Sequence, residues 1–280
     1  MVAKVKTFVF FGIKPVDVTV EVKISSGLVA FNIVGLPDKA VNESKERVRS
    51  AINSINLSFP SKRITVNLTP ADIEKEGTFL DLPIALGILI EMGIITQDAV
   101  DEYIVMGELS LDGQINYVNG VLPAAMAAMD RGLGIICPEP NGSEALWTGE
   151  EQEIIAPFNL ISLINHFRGT QILQRPKLKK ELIKPEYLDL KDVIGQEQAK
   201  RALEITAAGG HNLLMIGPPG TGKSMIAKRL PGILPDLTIE EILEINMINS
   251  IAGKTKGGEL LTYRPFMDPH HSCSMPAMVG

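Results

Sequence analysis

Apolar and polar positions alternate across residues 16–24, VDVTVEVKI, with a period of two that places every second side chain on one face of an extended strand. The preceding VKTFVFF at 5–11 is also strand-like, so the chain is expected to open as a β-hairpin or meander, which residues 29–34 continue. A turn follows at Gly35-Leu36-Pro37-Asp38. From Pro37 the period changes: Val41, Val48, Ile52 and Ile55 recur at helical spacing while Lys39, Glu43, Glu46, Arg47 and Arg49 fall elsewhere, the pattern of an amphipathic helix. Residues 63–69, RITVNLT, return to a strand, and the almost wholly apolar stretch 82–95 has the length and the Ala, Leu and Met content of a buried helix. A strand at 103–109, a hairpin turn at LDGQ, a helix over 121–131, strands at 134–137 and near 153–156, and a helix ending near Phe167 complete the series. Strands come first and then mix with helices, which predicts one α+β domain over residues 1–170.

Residues 171–184, QILQRPKLKKELIK, gather Arg175, Lys177, Lys179, Lys180 and Lys184 around Pro176 with little periodicity, and 171–189 read as a basic linker. A solvated connector is the simpler account of it; a strap touching DNA or a neighbouring subunit is the other. Beyond it, the apolar run Asn212-Leu213-Leu214-Met215-Ile216 predicts a short strand, followed by GPPGTGKS and then the helical pattern MIAKRL. This fits G-x-x-x-x-G-K-[ST] with a strand before and a helix after, the setting in which a P-loop binds phosphate. Gly217, Gly220 and Gly222 let backbone N–H groups approach phosphate oxygens, with Pro218, Pro219 and Thr221 completing the loop. Lys223 supplies a point charge for the β and γ phosphates, and the Ser224 hydroxyl is the expected Mg²⁺ ligand of bound ATP.

Composition narrows the class only modestly. At 280 residues, 45% hydrophobic and 21% charged, the chain has the make-up of a folded globular protein with room for two domains. No apolar run reaches the length of a membrane span, and Cys137 and Cys273 stand far apart without CxxC spacing, so a cytoplasmic setting is expected. The net charge of -6 is uneven: residues 1–170 hold 13 Lys+Arg against 21 Asp+Glu, and 171–280 hold 14 against 12. Uniform phosphate binding by the first half is disfavoured, because a nucleic-acid surface usually needs a basic face. Its one basic concentration is Lys45, Arg47, Arg49, Lys62 and Arg63, read first as a solvated helix face and second as a nucleic-acid contact.

Further motifs carry a resemblance. DVIGQ at 192–196 before a helix, then NLLMIGPPGTGKS, looks like the start of an AAA+ module, which implies that Val193, Ile194 and Gly195 line the adenine pocket. FNIVGLPDKAVNESKERVRSAI, RITVNLTPADIEKEGTFLDLPIALGIL, GELSLDGQI and RPFMDPHHSCSMPAMVG together resemble the bacterial magnesium-chelatase-like ATPases of the ComM or YifB type, over essentially the whole chain. The resemblance implies an α+β domain of Lon-protease-like fold over 1–170, followed by the N-terminal part of an α/β AAA+ domain over 190–280. It also implies ATP and Mg²⁺ as cofactors, a homo-oligomer that is hexameric at full length, and ATP-driven remodelling of branched or single-stranded DNA. A magnesium chelatase subunit inserting metal into a porphyrin, and a non-catalytic assembly module, are the alternatives.

Lon-type proteases use a serine in a glycine-flanked turn and a lysine at the start of a later helix. Here the first turn, KEGTFLDLP, offers only Thr78, and the second, NGVLPAAMAA, places Leu122 or Pro123 near the lysine position. An alcohol without a proton acceptor is not activated, so proteolysis is not expected. Pro269-His270-His271-Ser272-Cys273 brings three zinc-type ligands together, but no other Cys or His pair completes a tetrahedral set; the resemblance puts this segment in a loop of the AAA+ module. His166 and His211 are isolated and read as structural. Hydrolysis further requires an acidic pair ending an apolar strand and an arginine from a neighbour. Residues 225–280 contain no run of four apolar residues leading into Asp-Glu and no recognisable arginine finger. The chain therefore reads as cut within the AAA+ module, able to bind ATP without turning it over.

Overall fold

A computed structural model describes residues 2–178, 187–255, 260–270 and 272–275. The chain divides into two units, Met1–Glu181 with Glu244–Leu260, and Leu182–Leu243 with Leu261–Gly280. Lys179, Lys180, Lys184 and His271 lie outside the described residues.

The first unit is a mixed α/β fold on a seven-stranded sheet. Its strands in chain order are β1 (Ala3–Phe11), β2 (Lys14–Ser25), β3 (Ala30–Val34), β4 (Arg63–Thr69), β5 (Tyr103–Val105), β8 (Gly134–Ile136) and β9 (Ile154–Ile155), with β6 (Glu108–Leu109) and β7 (Ile115–Asn116) forming a separate hairpin. The spatial order is β3-β4-β2-β1-β5-β8-β9. The β1–β2 and β2–β4 pairs are antiparallel, whereas β3–β4, β1–β5, β5–β8 and β8–β9 are parallel, so the sheet is mostly parallel. Parallel neighbours need crossover connections, and the helices supply them: α1 (Lys39–Ser54), α2 (Asp81–Glu91), α3 (Asp98–Asp101), α4 (Val121–Asp130), α5 (Gly142–Ala145) and α6 (Leu160–Phe167).

Period-two alternation decides which face each strand residue serves. On β1, Val5 and Val9 join one apolar core while Phe8 joins another, and on β5, β8 and β9 the neighbours Ile104 and Val105, Ile135 and Ile136, Ile154 and Ile155 divide in the same way. The larger core packs α1 and α2 against Val18, Val20 and Val22 of β2 and Ile64, Val66 and Leu68 of β4. The smaller packs Val121, Ala124, Ala125 and Ala128 of α4 against Phe8, Ile104 and Ile135. The expected strand at 103–109 is divided: β5 stays in the main sheet, and Gly107 N–H donates to Phe79 O at 2.9 Å before β6 turns into the hairpin that LDGQ closes.

Two local features set how closely the helices approach. Gly87 lies inside α2, where propensity disfavours it, because a Cβ there would stand 2.5 Å from Cγ2 of Val22 on β2. Asp81, fully buried at the start of α2, takes a two-pronged ion pair from Arg47 of α1, Nε to Oδ2 at 2.6 Å and Nη2 to Oδ1 at 3.1 Å, and accepts the Leu109 N–H at 3.2 Å. Burial pushes the Asp81 carboxyl up from its ordinary value, and the Arg47 guanidinium opposes that push. The basic concentration noted in the sequence is thus smaller on the surface than in the chain: Arg47 turns inward, Arg49 lies 5.3 Å over the Phe59 ring, and Lys62 and Arg63 remain exposed. In the linker, Arg175 donates to the Gly149 carbonyl at 2.8 Å.

Residues Glu244–Leu260 group with the first unit although they follow the P-loop in sequence. Helix α9 (Ile239–Ile251) carries Asn246 and Ser250, both fully buried. Ser250 donates its hydroxyl to buried Glu144 of α5, its carbonyl accepts the Gly120 N–H at 3.2 Å, and Tyr117 donates to Thr255 O at 2.8 Å. Burial raises the Glu144 carboxyl, while Ser250, Asn141 and the Leu122 N–H hold it down.

Two substitutions check this packing by chemical denaturation. Arg47→Ala strands a buried carboxylate and is expected to cost about 3 kcal/mol. Gly87→Ala forces α2 off β2 and is expected to cost about 1–3 kcal/mol; a neutral or stabilising result for either contradicts the packing described.

Candidate nucleotide site

The second unit is built on α7 (Glu197–Gly209), α8 (Lys223–Ala227) and a small apolar cluster of Leu190, Val193, Leu203 and Ile226. Ile226 comes from the helix that the P-loop opens, and Val193 comes from the DVIGQ turn, so one cluster holds both motifs. Gln196 adds a polar tie, its Nε2 lying 3.5 Å from the Thr221 carbonyl oxygen. Gly195 and Gln196 both take left-handed backbone, at φ 72° and 60°, which turns the chain sharply into α7.

Within the loop, Gly220 and Gly222 have φ of 83° and 86°, conformations that a Cβ would strain, and Gly222 leads directly into α8. The Thr221 hydroxyl donates to Pro218 O at 2.9 Å and closes the turn. The Lys223 ammonium lies across the loop, 2.8 Å from both the Gly217 and Pro218 carbonyl oxygens and 3.4 Å from Thr221 Oγ1. Pro219 and Ser224 are exposed on the same surface segment. One loop thus gathers a cation, a hydroxyl and glycine backbone at the N-terminal end of a short helix.

Of the three residues expected around adenine, Val193 is buried at 1% exposure and serves the core, whereas Ile194 is 96% exposed and Gly195 forms the turn beside it. The expected strand over residues 212–216 is not formed. A strand needs a partner for its N–H and C=O groups, and no strand among the described residues of this unit pairs with it; Leu214 and Ile216 stand 83% and 89% exposed. In the Pro269–Cys273 segment, His270 Nδ1 lies 2.7 Å from Ser272 Oγ, and no metal-holding cluster of His, Cys, Asp or Glu occurs among the described residues.

The first unit holds a second concave feature, and two turns compared with proteases meet in it. Thr78 donates its hydroxyl to Glu108, thirty positions away, and both line one cavity with Asn119 and Gly120. Glu108 was not singled out by sequence pattern; only its position after a short strand distinguishes it. Lys75 is wholly buried and points elsewhere, its ammonium donating to the carbonyls of Pro70 and Ile73, so it fastens the 70–75 loop. His166 is structural, accepting the Leu173 N–H on Nδ1 at 3.0 Å.

Comparison with known proteins decides the family. A profile described as subunit ChlI of Mg-chelatase matches residues 20–141, and one described as magnesium chelatase, subunit ChlI, matches residues 189–280. YifB of Escherichia coli (strain K12) is 45% identical over 276 residues, covering 99% of this chain and 54% of that protein. The chain belongs to the magnesium-chelatase-like family of the ComM and YifB type. Competence protein ComM of Haemophilus influenzae is 42% identical over 277 residues, covering 96% of this chain and 54% of that protein. The chain therefore spans about half the length of these family members. Part of it is also similar to an archaeal Lon protease of Methanothermobacter thermautotrophicus, 34% identical over 96 residues, which is 33% of this chain and 15% of that protein.

The shared cluster carries a test. Ile226→Ala empties part of it and is expected to speed amide exchange across α7 and α8 by at least about tenfold, through a loss of roughly 2–4 kcal/mol of local stability. Exchange unchanged in those helices contradicts the coupling of the two motifs.

Proposed function

We propose that this chain is the nucleotide-binding part of an AAA+ ATPase that remodels DNA. The observation that carries the reading is the GPPGTGKS loop, with Lys223 and Ser224 at the start of α8 and the DVIGQ turn tied to it through Ile226 and Gln196. In this reading the amides from Gly217 to Gly222 cradle the phosphates, and Lys223 exchanges its contacts with loop carbonyls for the β and γ phosphate oxygens. Ser224 holds Mg²⁺, and exposed Ile194 beside Gly195 covers the adenine, with Val193 anchoring the turn from below. No helix among the described residues is long and apolar enough to cross a membrane; in this reading the protein acts in the cytoplasm.

The sequence of residues 225–280 has no run of four apolar residues leading into Asp-Glu, and in this reading the 280 residues bind ATP without turning it over. At full length the protein assembles as a hexamer and acts on branched or single-stranded DNA; the similarity to a competence protein over nearly the whole chain supports this. In this reading the first unit is a Lon-like domain whose KEGTFLDLP and NGVLPAAMAA turns lack the serine and lysine of a protease. A second reading, a subunit driving metal insertion into a porphyrin, is favoured by the descriptions of the two matching profiles. Stimulation of the full-length ATPase by forked DNA supports the first reading; stimulation by a porphyrin-binding partner and not by DNA supports the second.

Titration with a fluorescent ATP analogue tests the site itself. Lys223→Ala is expected to weaken binding at least about tenfold, as loss of a charge-assisted phosphate contact does. Ser224→Ala is expected to weaken it only when Mg²⁺ is present. Unchanged affinity in Lys223→Ala, or steady hydrolysis by residues 1–280 that this variant abolishes, contradicts the proposal.

A further inference from the structure

We propose that the cleft beside Thr78 and Glu108 in the first unit binds an organic cation, an ammonium or guanidinium group of the kind that ends a Lys or Arg side chain. The cleft has a volume of about 640 Å³, and both carboxylates and aromatic rings line it. Asp38, Glu76 and Glu108 supply three carboxylates, and among the described residues no lysine, arginine or histidine lines it. Arg47, which feels the Glu108 charge, has its guanidinium committed to buried Asp81. An adjoining cavity of about 670 Å³ shares Phe10, Gly12 and Glu76 and adds Asp72 and Glu74, with Lys14 as the single basic residue among the described ones that line it. The negative surface is therefore continuous.

The apolar wall makes this more than a group of acids. Phe10 and Phe79 both line the cleft in an edge-to-face pair with centroids 6.1 Å apart, and Tyr117 stands with them. Aromatic π faces attract cations, most strongly weakly hydrated ones such as guanidinium. Two glycines keep the rings in place: a Cβ on Gly120 would stand 2.6 Å from Cε2 of Phe10, and one on Gly77 would stand 2.6 Å from Cε1 of Phe79. Neither ring could hold its position beside a larger residue.

A metal ion does not suit the site. The carboxylates are spread along the walls, and no group of three His, Cys, Asp or Glu that could hold a metal occurs among the described residues. Asp38 already accepts the Val41 N–H at 2.7 Å as the cap of α1, and Glu108 accepts the Thr78 hydroxyl, so the acids are fixed in place and each retains acceptor capacity. Oxygen acceptors and aromatic rings lining one cleft fit a planar or tetrahedral nitrogen cation on an apolar stem. The site is separate from the P-loop and does not depend on the nucleotide reading.

The test uses the 280-residue chain, isotopically labelled, titrated with the peptide acetyl-Gly-Arg-Gly-amide, with its neutral citrulline counterpart and with spermidine, to about 10 mM, where even a millimolar site fills. The arginine peptide is expected to shift the amides of residues 77–79 and 117–120, and the citrulline peptide is not. Exposed Glu76→Gln and the isosteric Glu108→Gln are each expected to weaken binding at least threefold. Spermidine acting at the same amides makes a free polyamine a possible source of the cation; the arginine peptide acting alone makes it a polypeptide side chain, and both results support the proposal. Absence of shifts with either cation, equal binding of the citrulline peptide, or unchanged binding in both variants while their spectra show native folding overturns it.

Discussion

The pairing of Arg47 with Asp81 is the constraint on which the arrangement of the first unit turns. Asp81 opens the helix that forms the centre of the larger core, and its carboxylate is fully buried. Such a group is tolerable only when its oxygens are satisfied, and α1 and the β6 backbone supply the donors. That requirement fixes α1 against α2, and it fixes where the chain must stand after leaving β5. The Gly77–Leu80 turn, Glu108 and the cleft between them are positioned as a consequence.

The second unit depends on a different economy. It has no sheet among the described residues, and its order around the P-loop rests on four apolar side chains, of which Val193 and Ile226 belong to the two motifs themselves. Glycine conformations do the rest. The left-handed backbone at Gly195, Gly220 and Gly222 makes the sharp turns of the two motifs, and the Lys223 ammonium lies across the loop that Gly220 and Gly222 shape. Ile194 and Ile216 are left in solvent, 96% and 89% exposed.

Much of this was legible in the chain, for physical reasons that can be named. The hairpin of β1 and β2, the strand RITVNLT and the helices at Lys39–Ser54 and Asp81–Glu91 announce themselves because burial on one face imposes a period, and the period survives in sequence. The run NLLMI was misleading for the complementary reason: an apolar run records a tendency, while a strand exists only with a partner. Pairings across 30 or more positions, Thr78 with Glu108 and Arg47 with Asp81, left no local trace. Val193 is held in the core at 1% exposure while its neighbour Ile194 is 96% exposed, a difference that the DVIGQ motif alone does not record.

Amide hydrogen exchange on residues 1–280, with and without Mg-ATP, tests the central claim most directly, because it reports on both units in one measurement. The expected result is slowed exchange across residues 217–224 and 193–196, with the Gly77–Leu80 turn and β6 unchanged. Exchange unaltered in the loop at saturating nucleotide, or slowed only within the first unit, would contradict the assignment of ATP to this site.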